Sequence, residues 1–375
     1  MNILGIETSC DETAAAVVIA GQRVRSNVIS SQISLHRVHG GVVPELAARQ
    51  HVTAIVPVVA ASLAEAGIGR GGLDAIAVTI GPGLAGSLLV GVNAAKAMAY
   101  ALDRPLIAVN HLEAHIYANW LGPVGAVPPR PPAFPLLCLL VSGGHTELIE
   151  MTGHGHFRHI GRTLDDAAGE AFDKGARLLG LGYPGGPAIQ HAAATGSAMA
   201  FDLPRAWLRD SYDFSFSGLK TALLRLVEPF RDDLPAPPAA ADSSPSGPFV
   251  AHRPPRLKPG TPINDLAASF QRAIIEPLAI KTAWAARDTK ARTVVLAGGV
   301  AANEALRDAV RTEIERECGP EVIVSIPPAV YCTDNAAMVA GAAYFGLRRG
   351  SQAGWETDVR PRFPLTGYAT PSPRS

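Results

Sequence analysis

Cysteine is scarce. The four residues Cys10, Cys138, Cys318 and Cys332 form no C-x-x-C pair, which excludes a disulfide framework and a zinc ribbon. Aromatic residues make up only 6%, too few for a Tyr/Trp-rich binding surface. Charge of one sign is lacking too: 33 Lys+Arg balance 33 Asp+Glu. That excludes a protein that grips nucleic acid by bulk basicity, though not a local patch or a basic partner. No uncharged apolar run reaches the ~18 residues of a membrane span. Leu84–Leu102 comes nearest, and Lys96 and several glycines interrupt it. The opening MNILGIETSC has no charged leader, secretory core or Arg/Ser-rich transit segment. The expectation is a cytoplasmic, reducing location with no membrane.

Hydrophobic residues make up 47%, dominated by Ala, Gly and Val, which suits helices packed closely on sheets. A chain of 375 residues exceeds the ~250–300 that one core sustains, so two lobes are expected. Strands predicted at Asn2–Ile6, Ala14–Ala20, Val24–Ser30, Ala75–Thr79 and Leu106–Val109 alternate with helices at Pro44–Ala66 and Ser87–Leu102. A further helix is predicted from about Asn110. After the Pro-rich stretch Gly122–Pro135, the opening strand–turn–strand pattern recurs at Pro135–Val141 and Thr146–Met151. Later helices are predicted at Leu164–Leu179, Ile263–Arg287, Asn303–Glu317 and Asp334–Leu347, with strands at Thr293–Ala297 and Val322–Ile326. Gly180–Pro187 reads as a tight loop, and Arg231–Pro262 as a low-complexity insertion. The class is α/β.

Four constellations carry chemistry. In His111-Leu-Glu-Ala-His115 the histidines stack at i and i+4 on one helix face, where one cation could bridge them; two unrelated histidines would look the same. Glu113 falls roughly 200° round the helix from His111, unlike the base of a zinc protease. Cys332-Thr-Asp334-Asn335 offers Asp334 either as a helix N-cap or as a third, carboxylate ligand. Three Gly-rich turns follow: Leu140-Val141-Ser142-Gly143-Gly144, Tyr183-Pro-Gly-Gly186 and Ala297–Asn303. Each is ordinary turn chemistry alone. Together with the Glu7–Glu12 turn, they suit a phosphate or nucleotide outside any P-loop or dinucleotide fold. Finally Asp166, Glu170 and Asp173 share a face, as a solvated surface or as acceptors for ribose hydroxyls.

Taken in order, the runs GIETSCDET, GGVVPELAAR, GPGLAGSLLVG, HLEAH, LLVSGGHTEL, DDAAGEAFDKGARLLGLGYPGGP, DFSFSGLKTAL, AGGVAANEALR and CTDNAAM resemble one family over about Met1–Leu365. It is the bacterial tRNA adenosine threonylcarbamoyltransferase family, formerly called O-sialoglycoprotein endopeptidase. The resemblance implies two actin-like (RNase H-like) lobes of the sugar-kinase and chaperone-ATPase superfold, with mixed sheets and a ligand cleft between them. Residues 1–130 would form one lobe and 131–330 the other, with the insertion 231–262. The helix at about 334–347 would pack back on the first lobe, and 351–375 would be an irregular tail. The resemblance also implies that His111, His115 and Asp334 hold one divalent ion, Fe(2+) or Zn(2+). Leu140, Val141, Ser142, Gly143 and Gly144, with Asp173, Gly186 and Asn303, would bind threonylcarbamoyl-AMP. The implied reaction moves the threonylcarbamoyl group to N6 of the adenosine 3′ of the anticodon, in tRNAs that read codons beginning with A, and releases AMP. Implied partners are tRNA, a paralogous noncatalytic subunit and a small ATPase. Asp11 or Glu12, on the phosphate-side turn, is the candidate general base. A sugar kinase or ATPase of the same superfold and a metallopeptidase are the competing classes.

Overall fold

A computed structural model of the chain describes residues 1–209, 211–232 and 255–365. The first sheet comprises β1 (Asn2–Glu7), β2 (Glu12–Ile19), β3 (Arg23–Ser31), β4 (Ala75–Gly81) and β5 (Leu106–Asn110), in the order β3-β2-β1-β4-β5. β1 and β2 pair antiparallel, as do β2 and β3, while β1, β4 and β5 run parallel. Between these strands lie α1 (Ile33–Arg37), α2 (Pro44–Ala66) and α3 (Ala85–Leu102), and α4 (His111–Tyr117) follows β5. The second sheet repeats the plan. β6 (Leu136–Val141), β7 (Thr146–Gly153), β8 (His156–Arg162), β9 (Thr293–Ala297) and β10 (Ile323–Ser325) adopt the order β10-β9-β6-β7-β8. Again the first three strands are antiparallel and the last two join parallel. Its helices are α5 (Ala168–Leu178), α6 (Gly185–Ala193), α7 (Ser217–Val227), α8 (Ile263–Asp288) and α9 (Glu304–Cys318); α10 (Ala336–Arg348) closes the set.

The strands read as unbroken apolar runs because both faces of each sheet are covered. On β1, Leu4 and Ile6 join the core under α2 and α3, whereas Ile3 faces α10. On β6, Leu137, Leu139 and Val141 face the helices of the second lobe, while Leu136, Cys138 and Leu140 join the α10 core. One apolar core therefore serves the inner faces of both sheets, with α4 and α10 between them.

Several expectations shift. The helix predicted at Leu164–Leu179 begins only at Ala168, so Asp165 and Asp166 precede it. Asp165 accepts hydrogen bonds from Ser215, Phe216 and Ser217, and thereby anchors the start of α7, which the sequence did not reveal. The predicted Gly180–Pro187 loop becomes helical from Gly185. Of the insertion 231–262, residues 233–254 lie outside the described residues. Its base is pinned where Asp232 donates to Arg256 O and Lys258 to Phe230 O. The described part of the tail is irregular but docked: Ala353 pairs with Leu106, and Arg360 donates to Ile80 O.

Two helices, α2 and α3, are long and apolar enough to cross a membrane by length and composition, where the sequence had flagged only the second as close. Each lays one face on the first sheet. On the sheet-facing side of α2, His51 and Ser62 hydrogen-bond Thr13 and Ser26 of β2 and β3.

The position of α10 depends on Gly5. A Cβ there would lie 2.3 Å from Ala336 O and 2.8 Å from Ala340 N. Gly5→Ala must displace the first turn of α10. We expect a loss of about 1–3 kcal/mol in urea unfolding, together with a rise in the dissociation constant for any ion held through Asp334.

Candidate metal centre and interlobe cleft

β5 delivers the histidine helix. Asn110, at its end, caps α4 by accepting from Leu112 N (2.8 Å) and Glu113 N (3.3 Å), which fixes His111 in the first turn. Its amide nitrogen donates to Phe363 O, so the docked tail steadies the same cap. The imidazoles of His111 and His115 stand 4.6 Å apart, edge to face.

Asp334 arrives from the other end of the chain. The sequence allowed it to be the N-cap of the last helix, but Asn335 takes that role by accepting from Met338 N. Asn335 also donates to Thr333 O and Tyr331 O, which locks the turn around Asp334. The Asp334 carboxylate is thus turned toward the histidines. Its Oδ1 lies 3.4 Å from His111 Nε2 and 3.2 Å from His115 Nε2. The ligand-type atoms of the three residues fall within 4.8 Å of one another, the one such group among the described residues.

Glu7, fully buried at the end of β1, entered the sequence reading only as part of the phosphate-side turn and not as a partner of the histidines. Its Oε2 lies 3.1 Å from His111 Nδ1 and accepts from Thr79 Oγ1, while Oε1 accepts from Ser9 N. The one signal in the sequence was an acidic residue ending an otherwise apolar strand. A carboxylate on the far nitrogen is the arrangement that orients a metal-ligating imidazole. Burial opposes a charge on His111, yet Asp334 and Glu7 outweigh it and raise its pKa well above the usual histidine range. Burial first, and then the neighbouring His111, holds His115 neutral, although Asp334 pulls the other way. Its Nδ1 is buried without a hydrogen-bond partner. Two imidazoles and a carboxylate aimed at one point, backed by a second carboxylate, fit a divalent ion of the iron or zinc type.

The second lobe supplies the facing wall. Leu140 and Val141 are core residues of β6, so their side chains do not reach the cleft. In the next turn, Ser142 N donates to His145 O and is spent on closing it. Gly143 and Gly144 are exposed, with nothing within 4 Å of an added Cβ. Burial, then His111 and His115, pushes the His145 pKa down to about 4, so this neutral ring lies beside the ligand cluster. Asp173 accepts from Gly185 N at the start of α6, and burial raises its pKa. Gly186 borders open space. Asn303 caps α9 through Leu306 N and donates to Gln271, so both ends of its amide are engaged.

Partial burial, then the charges of Asp11 and Asp173, raises the pKa of the half-buried Tyr183, so the Asp11–Glu12 turn and the Asp173 loop both lie within its electrostatic reach. Burial, then Asp334 and Asp11, lifts the Glu12 carboxyl to about 9.

A model of the tRNA N6-adenosine threonylcarbamoyltransferase family matches residues 23–341. A tRNA N6-adenosine threonylcarbamoyltransferase of Thermomicrobium roseum is 60% identical over 365 residues, covering 97% of each chain. One from Dehalococcoides mccartyi is 52% identical, covering 98% of this chain and all of the relative. The chain belongs to this family. Among solved structures, HypF of T. kodakarensis superposes with a TM-score of 0.57 at 15% identity, over 93% of this chain and 48% of its own. Full-length HypF in a phosphate- and nucleotide-bound form gives 0.51 at 13%, over 93% of this chain and 46% of its own. These likenesses bear on the fold, which is the two-lobed actin-like architecture.

Glu7→Gln keeps the shape but weakens the hold on His111. We expect Zn(2+) affinity, measured by chelator competition, to fall 10- to 100-fold with the fold intact by circular dichroism.

Proposed function

We propose that this chain transfers a threonylcarbamoyl group from threonylcarbamoyl-AMP to N6 of the adenosine 3′ of the anticodon, in tRNAs reading codons that begin with A. The carrying observation is the convergence of His111, His115 and Asp334 beside an open glycine turn and a carboxylate-lined cleft. His111, His115 and Asp334 would hold Fe(2+) or Zn(2+), which when bound supplies Lewis acidity toward an oxygen of the donor.

The chain's own work is positioning and charge stabilisation. Holding donor and acceptor in register is worth ~7–11 kcal/mol. The peptide edge of Gly143 and Gly144 offers donors to phosphate or carbamoyl oxygens, each worth about 3 kcal/mol when preorganised. Asp173, Gly186 and the Asn303 helix start bound the nucleoside side. The N6 lone pair attacks the carbamoyl carbon, the N–C bond forms, and the C–O bond to phosphate breaks as AMP leaves. The amine gives up a proton in that step. Asp11 is the acceptor we assign. Glu12, its neighbour on the same turn, is the second carboxyl at this edge of the cleft and accepts a hydrogen bond from Ser31 Oγ.

A tRNA substrate places this work in the cytoplasm. The neutral net charge leaves tRNA gripping to a local patch and to partners. The paralogous subunit would dock on α2 and α3, whose outer faces expose Val52, Val56 (74%), Leu89 and Tyr100 (78%), with Trp355 edge-on to Tyr100. The small ATPase would complete the assembly.

With preformed donor, partner subunits and unmodified tRNA, single-turnover transfer should form the modified nucleoside. Asp11→Asn should slow it about 100-fold, whereas Glu12→Gln should slow it less. No modified nucleoside from the wild type would overturn the reading. Val56→Asp should weaken association with the paralogous subunit about tenfold or more in calorimetry, with the thermal midpoint unchanged.

A further inference from the structure

Helix α4 has two sides. His111 and His115 face Asp334; Glu113 and Tyr117 face away, into a cluster that the reaction does not use. Arg349, just beyond α10, reaches Glu113 Oε1 at 3.2 Å and Tyr117 OH at 3.4 Å. His154, at the tip of the β7–β8 hairpin, meets Tyr117 OH through Nδ1 at 3.0 Å. Its ring stacks on Phe345 at 4.1 Å, and Phe345 stacks on Tyr117 at 4.8 Å. The hairpin tip sits directly on the guanidinium. Gly155 has a φ of +79°, and a Cβ there would lie 2.5 Å from Arg349 Nε. Glu113 is mostly buried, so without Arg349 it would be a carboxylate in an apolar setting with no counter-charge.

We propose that Arg349 and His154 are positioning residues for the metal centre. They form a brace from the second lobe and the last helix that sets the orientation of α4 through Glu113 and Tyr117. Through it the hairpin tip of the second lobe bears on the side of the histidine helix away from Asp334. A shift of the hairpin relative to α10 would therefore be felt at His111 and His115. The inference rests on the ligand reading proposed above.

The test measures Zn(2+) affinity of the full-length chain by chelator competition, beside the thermal midpoint of the ion-free protein. Arg349→Met should weaken Zn(2+) binding about tenfold. The double variant Glu113→Gln/Arg349→Met, which removes the need for a counter-charge, should restore it to within about threefold of wild type. His154→Leu should weaken binding in the same direction. If Arg349→Met does not fold, Arg349→Lys replaces it; it should bind between wild type and a tenfold loss. A lowered midpoint with unchanged Zn(2+) affinity in these variants would make the cluster structural only and overturn the proposal. His111→Ala separates the two readings. If it binds Zn(2+) like the wild type, the ligand assignment fails and the brace falls with it. If it loses Zn(2+) while Arg349→Met and Arg349→Lys do not, the brace alone is wrong.

Discussion

The bare backbone at Gly5 is the constraint on which the rest of this site depends. α10 follows the second sheet in sequence but lies against the first, across β1, because no side chain separates Ala336 from the strand. The consequence is chemical. Asp334, two residues before that helix, is carried onto two histidines more than 200 residues earlier. Asn335 takes over the capping duty that would otherwise consume the carboxylate. A candidate ligand, a cap and a packing contact thus fall on the three consecutive residues Asp334, Asn335 and Ala336, and a change in any one is transmitted to the others.

The repeated strand order explains where the helix goes. Each sheet begins with three antiparallel strands and continues with two parallel ones, and each has one face left for a shared core. α4 and α10 fill that space. The histidine helix is therefore held by the first sheet, the second sheet and the last helix at once, an unusually complete confinement for seven residues. Confinement matters because an isolated helix of that length has no stability of its own. The electrostatics have the same origin. Glu7 and Asp334 bring two carboxylates to His111, and burial makes their repulsion and their attraction for a cation larger than they would be in water.

Much of this was legible in the sequence, and the parts that were not share a cause. Strand runs such as Leu136–Val141 and long helices such as Ile263–Asp288 announce themselves through apolar patterning and length. The i, i+4 spacing of His111 and His115 is a local fact, so it too could be read directly. Glu7 could not, because its role comes from a strand end meeting a helix start more than 100 residues later. Arg349 and His154 share that difficulty: each is unremarkable in sequence, and only the meeting of a hairpin tip with a helix end gives them a role. The late start of α5 has a different reason. Asp165 is drawn off by Ser215, Phe216 and Ser217, a long-range capture that defeats local propensity. Asn303 was legible as a cap. What the sequence could not convey is that capping and the contact to Gln271 occupy its whole amide.

Helix periodicity also separates transfer from hydrolysis. In a zinc peptidase the residue directly after the first histidine turns toward the ion and activates water. Here that position is Leu112, which is buried in the core. The nearby acid, Glu113, is bound to Arg349 on the opposite side of the helix. With no base beside the cluster from α4, the polar groups near it come instead from the Glu7–Glu12 turn and the Ser142–His145 turn, one from each lobe. Such an arrangement serves a reactant held between lobes better than a solvent nucleophile poised on a single helix.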